Sequence, residues 1–126
     1  AQFKKGNVVM HAGLEWHDLS PVFNSATVNL NLTPWPRSCH HRVLQITASC
    51  ALAVTDWRED AVELYDPDTE VIYFKSFKDL PDILDRFISY PHEAKVISQS
   101  GYKRFLAHHT VAHRMAELNT FLYQLV

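Results

Sequence analysis

Glycine is scarce, with three in 126 residues. No GxGxxG turn and no GxxxxGK[ST] loop can be written from them, so both glycine-rich phosphate cradles are absent. Cysteine is scarcer still. Cys39 and Cys50 form no CxxC pair. That excludes a disulfide scaffold and leaves reduced thiols in a cytoplasmic protein as the expectation. Charge of one sign is also lacking: 12 basic and 14 acidic residues give a formal net charge of -2. There is then no electrostatic case for a nucleic acid or an anionic membrane as partner. No apolar run approaches the roughly 18 residues that cross a bilayer. The first residues, AQFKKG, lack the apolar segment of a signal peptide and an initiator methionine. A fragment or a processed product is expected. No internal repeat or low-complexity linker is visible.

What is present is apolar: 47% of the residues are hydrophobic, enough to bury a core in a single domain of this length. Three segments read as buried strands: TVNLNLT (27–33), ALAVT (51–55) and EVIYF (70–74). In the first, Val28, Leu30 and Leu32 alternate with Asn29 and Asn31, which predicts leucines toward the core. NVVMH (7–11) reads as a fourth strand. Near-continuous apolar runs suit parallel strands covered on both faces.

Helical patterns fall between them. Ser20-Pro21 opens a short helix through Ala26. Val43, Ile46, Thr47 and Cys50 form one stripe of the 38–50 segment, and 57–65 reads as a brief third helix. Asp66-Pro67-Asp68 predicts a turn. Beyond residue 75 the pattern is helical throughout. Ser76 or Asp79 caps a helix carrying Leu80, Ile83, Leu84, Phe87 and Ile88, with Pro81 in its first turn. Pro91 starts the next, with Val96, Ile97, Phe105 and Leu106 apolar and Gly101 a weak point. Thr110 caps a last helix with Val111, Met115, Leu118 and Leu122 on one stripe. The alternation predicts a Rossmann-like, three-layer α/β/α domain of about four parallel strands, followed by C-terminal helices.

In an open parallel sheet, ligands bind outside the carboxyl ends of the strands. Among the loops this selects, LTPWPRSCHHR (32–42) stands out. Ser38 is placed to cap the following helix, whose first turn carries free N–H groups and partial positive charge. With Arg37, His40, His41 and Arg42 close by, that start would favour a phosphate. The plainer alternative keeps Ser38 as a cap and the basic residues solvated. At the next strand end, Thr55 and Asp56 are candidates for ligand hydroxyls and Trp57 for the cleft wall. Asp56 as cap of the following helix is the competing role.

Metal and nucleophile readings find less support. His109 and His113 stand four apart and His40-His41 are adjacent, but no HExxH or cysteine spacing accompanies them, so no metal is expected and His109 reads as a helix-start packing residue. Ser98 and Ser100 lack an elbow motif. A phospho-receiver would need aspartates at its first strand ends, and none stands there.

The quoted segments also resemble the C-terminal region of family-1-type glycosyltransferases, in the branch that includes the spore maturation protein CgeB. That pattern runs from an Asn-rich strand end to an "Arg-Val-Phe-Glu-Ala-x-Ala-x-Gly" helix and a "Leu-Leu-x-Thr-Asp" strand. A "Glu-Leu-Phe" helix, a "Leu-x-x-x-Ile" helix, a "Pro-x-Glu" helix start and a late "His-Thr-Tyr-x-x-Arg" follow. Here VNLNLTP (28–34), HRVLQITASCALAVTD (41–56), AVELYDPDTEVIYFKSFKDLPDIL (61–84) and YPHEAKVISQSGYKRFLAHHTVAHR (90–114) match in one order over about 100 residues.

The resemblance implies a GT-B enzyme, with two Rossmann-like domains facing across a cleft. Residues 1–126 would be a single domain, the C-terminal half, holding a nucleotide-sugar donor as substrate with no further cofactor. An N-terminal acceptor domain in the parent protein would be its partner. Carried over by position, Arg42 faces the donor phosphates with help from His41. The family's ribose-binding glutamate falls on Gln45, the glycine after the helix on Cys50, and the tyrosine after His109-Thr110 on Val111. Thr55, Asp56 and Trp57 are candidates for sugar or ribose hydroxyls and the cleft wall. No general base is nominated, and this chain alone is expected to lack catalytic competence. The competing expectation is a degenerate α/β module serving protein interaction. In either case the apolar last helix predicts packing on a partner or self-association of the isolated domain.

Overall fold

The structure, a computed structural model, describes residues 12–126. A 3-10 turn (Trp16–Asp18) leads into α1 (Leu19–Ser25). Then come β1 (Asn29–Asn31), α2 (His41–Ala48), β2 (Ala53–Asp56), α3 (Glu59–Val62), β3 (Ile72–Phe74), α4 (Leu80–Ser89), α5 (Pro91–His108) and α6 (Val111–Gln124). The strands form one sheet in the order β1-β2-β3, and both pairings are parallel. The register sets Asn31 beside Thr55 and Thr55 beside Tyr73. Parallel strands joined through helices put every strand's carboxyl end on one rim.

Each sheet face has its own core. Phe23, Val43, Ile46, Ala51, Ala53, Tyr65 and Val71 pack together on the side of α1 and α2. Leu52, Val54, Ile72, Phe74, Phe87, Ala94 and Ile97 pack on the side of α4 and α5. The architecture is the expected α/β/α, Rossmann-like, with C-terminal helices. Three strands lie among the described residues, and the expected strand at 7–11 lies outside them.

The first strand corrects the sequence reading. Asn31 and Thr33 are buried, whereas Leu30 and Leu32 are 47% and 51% exposed. The Asn31 Nδ2 donates to Thr55 Oγ1 at 3.0 Å, and the Asn29 amide donates to the Phe23 and Leu52 carbonyls. These bonds remove the usual penalty for burying an amide. The leucines point to the other face, where the partly buried Val28 meets the second core.

Helix ends explain further departures. α2 stops because Cys50 takes a left-handed conformation, φ 56°. The Ala51 N–H reaches the Ile46 carbonyl and the Cys50 N–H the Thr47 carbonyl, the hydrogen-bond pattern of a Schellman cap. Glycine is the residue that adopts this conformation without steric cost, and here a cysteine does so. α3 covers only Glu59–Val62, shorter than the expected 57–65, and the Trp57 N–H before it donates to the Phe74 carbonyl at 2.8 Å. Gly101 proves to be a close-packing site. A Cβ there would lie 2.5 Å from the Glu70 carbonyl oxygen, so only glycine lets α5 cross the 66–70 turn. Arg104, one turn on, ties the same turn through Glu70 and Asp66. The turn itself forms as expected, with Asp68 at φ 64°.

The apolar stripe expected of α6 is present, but no residue of that helix is buried. In α5, Ile97 is buried while Val96 and Leu106 are exposed.

Candidate functional site

The rim at the strand carboxyl ends is held by one carboxylate. Asp56 follows directly from the apolar run of β2, so the strand delivers it to the edge of the sheet. Its Oδ1 accepts the Thr33 backbone N–H at 2.9 Å and the Thr55 hydroxyl at 3.3 Å, and its Oδ2 accepts Arg58 Nε at 2.7 Å. The Arg58 Nη2 also reaches the Thr33 carbonyl at 3.1 Å. These bonds lock the 33–37 loop against β2. Asp56 is therefore not the cap of α3; Arg58 occupies that position, without a side-chain cap bond. Charge-assisted bonds of this kind are stronger than neutral ones.

Around this knot stand aromatic and cationic side chains. Trp35 and Trp57 are exposed. The Lys75 ammonium lies 5.5 Å from the Trp57 ring centre. Arg37 pairs with Glu59 at 3.0 Å. Arg42 has no carboxylate partner among the described residues, and its guanidinium lies 5.9 Å from the Phe23 ring centre.

The start of α2 differs from expectation. The cap is His40, whose Nδ1 accepts the Arg42 N–H at 3.1 Å; Ser38 takes no part. The Val43 N–H is also taken, by the His40 carbonyl. An acceptor Nδ1 requires an unprotonated nitrogen there. Desolvation lowers the His40 pKa, and neighbouring His41 and Arg42 lower it further. The His40 and His41 rings lie 4.3 Å apart.

The six sequence-nominated residues divide among three places. Thr55, Asp56 and Trp57 meet at the rim, with Thr55 buried beneath it. Arg42 lines a groove of about 420 Å³ along β1, with Leu19, Phe23, Asn31 and Leu32. His41 and Gln45 line a second groove of about 310 Å³, walled by Leu44, Ala48, Phe105, His109, Val111 and Arg114. Positions 41 and 45 share a helix face and 42 lies about 100° around it, which makes this division a matter of helical geometry. The Gln45 Oε1 is buried without a hydrogen-bond partner.

The second groove ends on a buried histidine. His109 Nε2 lies 2.8 Å from the Leu64 carbonyl oxygen, so Nε2 carries the proton. Nδ1 is then the acceptor for Arg114 Nη2, at 2.7 Å. Burial holds the His109 pKa down, and the Arg114, His108 and Arg104 charges add to that; the Leu64 contact opposes it. The ring also packs 4.9 Å from Tyr65, whose own pKa burial raises to about 12. The expected packing role for His109 is what the structure shows. Thr110 does not cap α6 with its side chain; its hydroxyl lies 2.6 Å from His113 Nδ1.

Cys39 is poorly suited to nucleophilic chemistry, since burial, with Asp60 nearby, raises its thiol to about 11. No group of three or more His, Cys, Asp or Glu side chains is placed to hold a metal among the described residues. No helix among them is long and apolar enough to cross a membrane.

Sequence reasoning missed Arg58 and the His40 cap. Arg58 was visible as a cation two residues past a strand-end carboxylate, but its reach to Thr33 depends on the fold. A family model described as "Glycosyl transferase-like" matches residues 1–120. No curated protein and no solved structure matches the chain.

Proposed function

The chain belongs to the glycosyl transferase-like family, and on that premise we propose that it is the donor-binding, C-terminal half of a GT-B enzyme of the CgeB-like branch. Its ligand is a nucleoside diphosphate sugar. The acceptor is held by an N-terminal domain of the parent protein, which also supplies any general base. The observation that carries this reading is Arg42, in the first turn of α2, a cation without a carboxylate partner among the described residues, lining a groove that runs along β1. In glycosyl transfer the departing diphosphate gains negative charge, and a fixed cation next to it lowers the barrier.

In this reading the diphosphate lies beside the first turn of α2, against Arg42, with His41 at its flank. Gln45 lies in the other groove, about 100° around α2 from Arg42, and its Oε1 is buried without a partner, so it accepts a ribose hydroxyl only where the nucleoside crosses the first turn of that helix. Trp57 walls the sugar side. Thr55 and Asp56 act underneath, holding the Thr33 backbone and hence the loop in position. Arg58 is spent on Asp56, so it contributes no free charge.

The test is a titration of the isotope-labelled chain with uridine and guanosine diphosphates. Amide signals from 34–45 and 55–58 are expected to move, and Arg42→Ala is expected to weaken binding about tenfold, as for one charge-assisted contact. If millimolar nucleotide moves no amide, the donor reading fails and the interaction module takes its place.

A further inference from the structure

Every residue of α6 is exposed except the partly buried His113. A helix that buries no apolar face takes its position from polar ties. Among the described residues, one side-chain bond runs from α6 back across Thr110 to the domain: Arg114 Nη2 donates to His109 Nδ1 at 2.7 Å. The other side-chain bonds of the helix are local, from His113 to Thr110, from Arg114 to Glu117 and from Thr120 to Ala116. Thr110 itself is extended, with φ -69° and ψ 161°, so the chain is jointed between α5 and α6.

The acceptor in that one tie is titratable. His109 is held from its other side by the Nε2–H donated to the Leu64 carbonyl and by the Tyr65 ring, contacts that a change of charge leaves in place. Only Nδ1 changes role: neutral, it accepts from Arg114; protonated, it turns an N–H toward a guanidinium. The surroundings offer no countercharge. Arg114 from α6 and Arg104 and His108 from α5 are cationic neighbours. Tyr65, after α3, is a neutral phenol bonded to Thr47. His41, from α2, lines the same groove. The nearby carboxylates are engaged elsewhere, Glu70 and Asp66 on Arg104 and Glu117 on Arg114. Arg114 also keeps a partner when it leaves, because Glu117 holds its Nη1 with both oxygens, at 2.8 and 2.7 Å.

We propose that His109 and Arg114 form an acid-sensitive latch: protonation of His109 at Nδ1 releases Arg114 and frees α6 to swing about the His109–Thr110 joint. The ring stays with Leu64 and Tyr65, so the helix moves and the domain does not. Val111 and Arg114 leave the wall of the second groove with it, which opens that groove beside His41 and Gln45. The direction follows from linkage. Desolvation, then the neighbouring cations, hold the docked His109 below its ordinary value of 6.5, so the docked form binds fewer protons than the released one. The latch is fully closed above that ordinary value and opens as pH falls toward the docked one.

The test is NMR of the whole 126-residue chain between pH of about 7.5 and about 5. It reads the His109 imidazole together with amide exchange, corrected for the intrinsic effect of pH. A released helix of 14 residues is marginal in water. The α6 amides are therefore expected to lose protection about tenfold per pH unit as His109 protonates, while those of β2 and α4 keep theirs. Arg114→Gln separates a latch from simple packing. Its amide donates to the neutral Nδ1, accepts from the protonated one when turned over, and carries no charge. In that variant α6 should stay docked throughout and His109 should titrate higher than in the parent. His109→Gln should make α6 protection independent of pH, and Arg114→Gln decides alone if that variant unfolds. A His109 that titrates with α6 protection unchanged, or an Arg114→Gln chain that releases α6 at the parent's pH, overturns the inference.

Discussion

Two polar knots hold this molecule, and they are built on opposite principles. At the sheet rim, Asp56 gathers a backbone N–H, a hydroxyl and a guanidinium around a full negative charge. At the junction of α5 and α6, His109 gathers a carbonyl and a guanidinium around a neutral ring. The first lies at the edge of solvent, where an ion pair is affordable. The second lies against Tyr65 in the core, where a charge would be costly. The rim knot spans 23 residues, from Thr33 to Asp56; the junction knot spans 45, from Leu64 to His109. The difference assigns them different duties: one shapes a loop beside the candidate donor groove, the other holds the C-terminal helices on the domain.

The sharpest way to break this comparison is to remove each hub's partner and compare the losses. His109→Ala deletes a buried ring, frees the Leu64 carbonyl and leaves Arg114 with Glu117 alone. A loss of about 3 kcal/mol is expected, from cavity and unsatisfied carbonyl together. Denaturant unfolding measures it, and the α5–α6 amides should lose hydrogen-exchange protection first. If protection is lost evenly over the whole chain, the junction is not a separate anchor.

Arg58→Ala comes next, at about 2 kcal/mol, the worth of charge-assisted bonds at a partly buried site. Here the 33–37 loop should loosen while the α5–α6 junction stays protected. Asp56→Asn should cost less than Arg58→Ala, since an amide oxygen still accepts the Thr33 N–H. An equal or larger cost would mean that the carboxylate charge, rather than the backbone bond, organises the rim.

The knots also show what a sequence reveals and what it hides. The parallel order, the Pro91 helix start and the Asp66–Asp68 turn were legible because periodicity and turn chemistry are local. The Leu30 face was misread because alternation gives two faces without saying which one a distant helix covers. Here α4 and α5 pack on β2 and β3, and two asparagines take the buried side through bonds to Phe23, Leu52 and Thr55. Gly101 looked like a weakness because its neighbour, the Glu70 carbonyl, is 31 positions away in sequence. At the candidate site, Asp56 and Trp57 were legible from the strand end. The parting of Arg42 from His41 and Gln45 was legible in principle, from 100° per residue. The His40 cap was not, because a histidine ring accepting a helix N–H depends on its protonation state.

That protonation state gives the smallest effect and the finest discrimination. Both His40 and His109 have pKa values lowered by folding, desolvation being the first cause in each. A histidine lowered in the fold binds fewer protons folded than unfolded, so its neutral form favours folding. The contribution is complete above the unfolded value of about 6.5 and is lost as pH falls through the folded values. Stability should therefore be flat above pH of about 7 and decline toward pH 5. His40→Asn keeps an oxygen acceptor for the Arg42 N–H without titrating, and should remove a small part of that decline. The remainder should persist, because His109 stays in place, enclosed and facing the Arg114, His108 and Arg104 charges. Thermal unfolding at half-unit pH steps reads both slopes. If His40→Asn abolishes the decline altogether, the charged form of His109 is tolerated in the fold, and the contrast between a charged rim knot and a neutral junction knot disappears.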